Sequence, residues 1–222
     1  MSLIETFFNC DPSGRMSGDE RRLVILQAAV ELFSQHGFKG ATTKEIAKAS
    51  GVSEAMLFRH FENKDALYQA IIETKGCSEN ATKFAWDNDE QLATAIAAKD
   101  DMAVFTRIGF TILEKQQANV PFMRLLLYSA LEEHDLAERF FHEFVGRVYE
   151  FIGGYIKTRQ KDGAFKKVKP NLAVRAFLGM LLRHSLNNIL WDKSSFLLKI
   201  SNDEAAKGFA DILLKGLEAE RA

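Results

Sequence analysis

The sequence predicts an all-α protein, and three observations carry that prediction. Apolar residues recur at the 3.6-residue helical period along most of the chain, whereas the apolar-polar alternation of strands set between turn residues is missing. Proline, which breaks helix interiors, occurs only at Pro12, Pro121 and Pro170 among 222 residues. Two Ser/Thr-x-x-Glu capping boxes, Ser17 with Glu20 and Thr42 with Glu45, stand directly before apolar periodic runs.

Helix one starts at Ser17 and carries a stripe of Leu23, Leu26, Val30 and Phe33; His36-Gly37-Phe38 stops it, since glycine takes the left-handed conformation just past a helix end. Thr42 opens a very short second helix with Ile46 and Ala47 inward. Ser50-Gly51-Val52 turns the chain, Ser53 caps a third helix reaching about His60, and Asn63 caps a fourth that buries Leu67, Ala70 and Ile71 and runs to about Asn88. Beyond Lys75 the pattern predicts longer helices over 101–118, 121–133, 135–160, 170–191 and 202–219. Residues 1–15, ahead of a second start at Met16, read as an extension outside the fold. The reading is thus a helix-turn-helix head over 16–62 and a helical body over 63–222.

Composition narrows the function. Hydrophobic residues at 47% and charged residues at 27% are those of a folded soluble protein, not a disordered one. The longest apolar run of the last third, Phe177 to Leu182, falls far short of the roughly 20 residues that span a bilayer. A formal net charge of -1 gives no global polycationic field, so any DNA contact must be local. Cys10 and Cys77 lie far apart with no CxxC spacing, which argues against a disulfide framework and a zinc site and predicts a reducing cytoplasm.

Residues 171–191 are apolar nearly all round, and the helix over 202–219 has a similar surplus, with Phe209 and Leu213 on one face and Ile212 on another. A second copy of the chain is the simplest cover, in a four-helix-bundle dimer interface through Leu178, Leu182, Phe209 and Leu213. A monomeric core is the alternative.

Residues Thr42 to Phe61, TTKEIAKASGVSEAMLFRHF, have the helix, glycine turn, helix layout of a unit whose second helix enters the DNA major groove. The run from Arg21 to Leu67 resembles the N-terminal domain of the TetR family of transcriptional regulators. The resemblance rests on Ala28 to Phe38, Thr42-Thr43, Ile46-Ala47, Gly51-Val52-Ser53, and Leu57-Phe58-Arg59-His60-Phe61 followed by Asn63-Lys64. One departure is Ala55-Met56-Leu57-Phe58 where the family often has Gly-Thr-Leu-Tyr, which removes a tyrosine hydroxyl typically set on a phosphate. The resemblance implies a site of Thr42, Thr43, Lys44, Ser53, Glu54, Ala55, Met56, Phe58, Arg59, His60 and Lys64. Thr42 or Thr43, His60 and Lys64 would sit on phosphates; Glu54, Ala55, Met56, Phe58 and Arg59 would face base edges. From Lys39 to Lys64 five bases (Lys39, Lys44, Lys48, Arg59, Lys64) face three acids (Glu45, Glu54, Glu62), a modest local positive bias.

Enzyme signatures are absent: no histidine has a glutamate three positions before it, His142-Glu143 meets Gly146 where a zinc-protease helix needs a second histidine, and no phosphate loop or nucleophile elbow occurs. No catalytic residues, metal or organic cofactor are expected. Twelve of the 18 phenylalanines follow residue 76. The resemblance implies a pocket in the body for a small hydrophobic effector that releases a repressor from a palindromic operator, with Phe105, Ile108, Ile112, Phe144, Val148 and Phe177 as lining. Arg107, Arg147, Arg183 and His184 are its polar candidates. The competing reading is a helical DNA-binding interaction protein controlled by a protein partner, which a fully packed body would favour.

Overall fold

The structure is a computed structural model that describes residues 17–72 and 88–219; the 1–15 extension and both cysteines lie outside the described residues. Helices dominate, with α1 Gly18–Gly40, α2 Thr43–Ala49, α3 Glu54–His60, α4 Lys64–Ile72, α5 Glu90–Ala98, α6 Asp101–Ala118, α7 Val120–Leu131, α8 Asp135–Phe140, α9 Gly146–Lys161, α10 Pro170–Leu186 and α11 Asn202–Leu217. Among the described residues the only β pairing is a single bridge between Phe165 and Glu218. None of the described helices is long and apolar enough to cross a membrane.

The predicted caps form as read. Ser17 and Thr42 each close a reciprocal capping box with the glutamate three residues on, and a third, unpredicted box, Ser201 with Glu204, opens α11. Gly37 stops regular α1: at φ 70°, ψ 179° it kinks the chain, and the last turn to Gly40 follows the kink. Other boundaries differ. The unpredicted α5 is short and alanine-rich, so its stripe is weak; Asp89 caps its start and left-handed Lys99 ends it. The span 135–160 is not one helix, because a wide π turn over Phe141–Val145 separates α8 from α9, and a second one over Asn187–Trp191 extends α10. The expected helix from Asn63 is described only as Lys64–Ile72, and its stretch to Asn88 lies outside the described residues.

The chain divides into two compact units, and the division differs from a cut at residue 62. Of the described residues, the first takes 17–72 together with 124–137, and the second takes 88–123 and 138–219. In the first unit Ile25, Leu26, Ala29, Phe33, Ile46, Leu57, Phe61, Leu67, Tyr68 and Ile71 are buried. The 124–137 segment joins by long-range contacts that no periodicity announces.

The second unit is a helical core of α5, α6, α9, α10 and α11. Val104, Phe105, Ile108, Val148, Ile152, Ile156, Val174, Phe177, Leu181, Ala206, Ala210, Leu213 and Leu217 fill it. A polar brace closes its corner: Asp101 accepts from Tyr155 Oη at 2.6 Å and from Arg159 Nε and Nη2 at 2.7 and 2.9 Å. Arg159 also pairs with Asp162 at 2.8 Å, and Lys99 adds 2.9 Å to the same carboxylate. The Asp101 hydrogen bond holds the Arg159 guanidinium charged, and burial with Asp101 pushes the Tyr155 phenol up.

Two expectations for the body change. Leu213 is buried in its own protomer, so it belongs to the core; the outward residue of α11 is its neighbour Ile212, at 59% exposure. Leu182 does face outward at 40%, joined by Leu172 at 64%, whereas Leu178 and Phe209 are half-buried against the core. Of the six effector candidates, Phe105, Ile108, Val148 and Phe177 are sealed among core side chains, with Phe105 and Phe177 showing no accessible surface. A surface with no contact to a water-sized probe borders no cavity that holds even one water. Ile112 and Phe144 sit half-buried at the core margin.

The polar candidates are also engaged. Arg107 Nε meets Asp89 at 2.5 Å, and the Arg183 guanidinium lies 4.8 Å from the Trp191 ring centroid. His184 is buried, its ring 3.1 Å from the Asn188 amide and edge-on to Phe209, and burial holds its pKa below the usual histidine value. Arg147 is half-buried in the first turn of α9.

Candidate nucleic-acid interface

Helices α2 and α3 are each seven residues long, too short to persist alone, so their geometry depends on caps and on a shared core. Thr42 Oγ1 accepts the Glu45 N–H at 3.2 Å and donates to Glu45 Oε2 at 2.7 Å, while that oxygen accepts the Thr42 N–H at 3.0 Å. These bonds from Thr42 hold the Glu45 carboxyl below the usual range. The turn follows from Ser50, whose buried hydroxyl donates to the Ile46 and Ala47 carbonyls, and from Gly51 at φ 69°, a left-handed position where a β-carbon is costly. Ser53 Oγ accepts the Met56 N–H at 3.2 Å and starts α3.

The α3 helix is two-faced. Leu57 is fully buried and anchors it, and Phe61 closes the base at 3% exposure. Glu54, Ala55, Phe58 and Arg59 are all exposed, and their spacing puts them on one outward ridge. Met56 and His60 are intermediate and flank that ridge. Arg22 of α1 fixes the far end: its Nη1 donates to the His60 carbonyl at 3.1 Å and its guanidinium covers the Phe61 ring at 4.4 Å.

The structure therefore brings the predicted base-facing residues together and assigns several phosphate candidates an internal partner as well. Thr42 spends its hydroxyl proton on Glu45. Thr43 Oγ1 donates to Glu54 Oε1 at 2.6 Å, a strut between α2 and α3 that orients the carboxylate at the tip of the ridge. Lys44 is exposed in the first turn of α2. Lys64, first residue of α4, holds its Nζ 4.4 Å from the Phe38 centroid and 5.9 Å from that of Phe33; burial against these rings lowers its pKa. An ammonium over two ring faces is attracted by their π electrons, and the Asp65 and Glu132 carboxylates nearby favour its charged form.

Residues the sequence reading missed surround that lysine. The Phe33, Phe38, Tyr68 and His134 rings form one aromatic cluster, with Phe38 4.9 Å from Tyr68 and 4.8 Å from His134. Glu132 accepts the Phe38 N–H at 2.9 Å, and Tyr128 Oη reaches the Gln35 carbonyl at 3.4 Å. Burial pushes the Tyr68 phenol up to about 12. Ser129 pulls the other way, yet its hydroxyl is committed to the Ala137 N–H and the His134 carbonyl, and Tyr68 Oη completes no hydrogen bond of its own. Contacts spanning over 90 residues leave no local signal.

Comparison with known proteins agrees with this geometry. The sequence profile described as "Bacterial regulatory proteins, tetR family" matches residues 25–71, from the middle of α1 to the last turn of α4. The nucleoid occlusion factor SlmA of Haemophilus ducreyi is 31% identical over 156 residues, covering 67% of this chain and 71% of that protein. The chain belongs to the TetR family. Membership places it among DNA-binding regulators of transcription and not among enzymes. The transcriptional activator FasR of Mycolicibacterium smegmatis is 32% identical over 105 residues, 45% of this chain and 48% of that one. Among solved structures, NalD, the secondary repressor of the MexAB-OprM multidrug efflux pump in Pseudomonas aeruginosa, has the same fold with a TM-score of 0.64 at 19% identity, over 92% of this chain and all of NalD. The proteins to which this chain is similar thus carry different stated roles.

Proposed function

We propose that this TetR-family protein is a cytoplasmic repressor that binds a palindromic operator as a homodimer, reading bases with the outward ridge of α3. The observation that carries the reading is the ridge itself: Glu54, Ala55, Phe58 and Arg59 exposed together on a helix whose opposite face is locked by Leu57. A carboxylate accepts from cytosine N4, a guanidinium fits guanine O6 and N7, and methyl or ring surfaces meet the thymine methyl. Lys44, His60 and Lys64 surround the ridge as phosphate contacts, which position without reading sequence, whereas the Thr42 and Thr43 hydroxyls give their protons to Glu45 and Glu54 and brace the ridge from within.

The dimer is supported by the outward face of α10 and α11. Leu172, Leu182 and Ile212 are exposed, and Gly179, Gly208 and Gly216 have open space around the position of a β-carbon. A helix-interior glycine costs about 1 kcal/mol relative to alanine, so three on this face make sense where another helix comes close. Two heads about 34–36 Å apart would meet successive major grooves, which is the reason for a palindromic operator.

A small hydrophobic effector is the proposed release signal, supported by the phenylalanine-rich body. Since Phe105, Ile108, Val148 and Phe177 are sealed, Ile112 and Phe144 are the two of the six candidates that keep accessible surface for it, and Phe144 stacks on Phe140 at 5.1 Å. The sealed core favours a second reading, in which a protein partner controls the regulator. The two separate in one experiment: a panel of apolar small molecules is screened for a rise in melting temperature, and each hit is titrated with and without operator. Linkage requires a releasing effector to bind more weakly when operator is present. Equal affinity in both titrations rejects release by that molecule, and a panel without hits leaves the partner-controlled reading in its place.

A further inference from the structure

We infer that Glu132, on a segment about 90 residues downstream of α1, is a positioning residue for DNA binding that acts through Phe38 on Lys64. This rests on the proposed role of Lys64 as a phosphate contact. Glu132 Oε2 accepts the Phe38 N–H at 2.9 Å, immediately after the kink at Gly37, where φ is 70°. Glu132 Oε1 occupies the space a side chain at Gly37 would need, 2.5 Å from an ideal β-carbon, so a side chain there would have to push the carboxylate aside. The corner sets the direction of the Phe38 ring. That ring is the floor 4.4 Å beneath Lys64 Nζ, backed by Tyr68 and His134.

The sign of the electrostatics separates positioning from charge. Glu132 lies close enough to Lys64 to favour its charged form. A carboxylate near the phosphate backbone also repels DNA, so loss of its charge alone should tighten binding slightly. If Glu132 instead positions Lys64 through the Phe38 corner, loss of the hydrogen-bond acceptor should weaken binding despite that gain. A weakening therefore cannot come from bulk charge. The same corner explains why residues 124–137 fall in the compact unit of the head.

The test uses the full-length protein, duplex DNA of random sequence and duplexes selected for binding, with fluorescence anisotropy across a salt series. Glu132→Ala is expected to weaken both duplex classes about tenfold and to make the slope of log K against log salt shallower by about one, the signature of one lost phosphate contact. Glu132→Gln, which keeps an acceptor for the Phe38 N–H, should stay within about threefold of the parent. Phe38→Leu, which removes the floor but not the backbone bond, should reproduce the slope change. In a Lys64→Ala background, Glu132→Ala should cost less than about threefold more. A purely structural role would lower melting temperature and active fraction while leaving slope and affinity of the folded protein unchanged, and that result overturns the inference. So does a Glu132→Ala loss of equal size in the Lys64→Ala background. If Lys64→Ala alone is silent, the phosphate role of Lys64 has failed, and the route through it falls for that separate reason.

Discussion

Replacing Ile212 by Glu tests the register of the proposed dimer face, because its neighbour Leu213, about 100° round the helix, turns into the core. Ile212 is 59% exposed in the protomer and Leu213 only 6%. Burying an isoleucine side chain fully is worth about 1.5–3 kcal/mol, so covering the exposed portion of Ile212 contributes roughly 1–2 kcal/mol per protomer and, by twofold symmetry, roughly 2–4 kcal/mol per dimer. Two carboxylates placed there would also need desolvating without partners, a further cost of several kcal/mol. The dimer dissociation constant should therefore rise by more than about a thousandfold, while the protomer, whose core does not include Ile212, keeps its helical circular dichroism. Leu213→Glu puts the charge into the core instead and should unfold the protein. Sedimentation velocity across nanomolar to micromolar concentrations, with circular dichroism on the same samples, reads both effects. A folded Ile212→Glu protein that still sediments as a dimer at nanomolar concentration refutes the assigned face, and a wild type that is monomeric at micromolar concentration refutes the dimer.

Three further outcomes are expected. Gly37→Ala should destabilise the protein by about 2–4 kcal/mol in chemical denaturation, because alanine is strained at φ 70° and its β-carbon displaces the Glu132 carboxylate from the Phe38 N–H; a change below about 0.5 kcal/mol would mean the corner relaxes freely. Tyr68 is buried with an unpaired hydroxyl and a pKa raised from 10 to about 12, so its share of stability is complete below pH 10 and is lost as pH climbs from 10 through about 12. Tyr68→Phe should be neutral to about 1 kcal/mol stabilising at neutral pH and flatten that alkaline slope, leaving the contribution of Tyr155; a destabilised variant would show that the hydroxyl has a bonding role. Thr43→Val should cut the strut to Glu54 and change base preference at the positions Glu54 faces without altering the salt slope, checked by competition between duplexes that differ at single base pairs.

The head was largely legible in the sequence because its structure is set locally. Ser17-Glu20 and Thr42-Glu45 place the helix starts, Gly37 and Gly51 place the turns, and Leu57 with Phe61 fixes which side of α3 faces in; each signal lies within a few residues of what it determines. What escaped was long-range. Nothing in the spacing of Tyr128, Glu132 and His134 ties them to Gln35, Phe38 and Tyr68, so the head was read as ending near residue 62. In the body, periodicity gave helices but not register: α10 and α11 carry apolar residues on several faces, and choosing Ile212 over Leu213 as outward needs to know which face the α6 helix covers. The π turns at 141–145 and 187–191 escaped for a related reason, since a single widened turn leaves the apolar pattern almost intact on both sides. Phenylalanine richness identified the core of the body but not a cavity, because the same rings serve either purpose.

Selection of duplexes from a random pool by the wild-type protein and by Arg59→Ala, followed by sequencing of the bound DNA, tests whether α3 reads bases. If the exposed ridge of α3 reads DNA, the wild type enriches a palindrome whose half-sites are one helical turn or a multiple apart. Arg59→Ala then relaxes preference at one symmetry-related pair of positions by about 1–3 kcal/mol and leaves the other positions in place. Enrichment of no motif by the wild type, or an identical motif from both proteins, contradicts it.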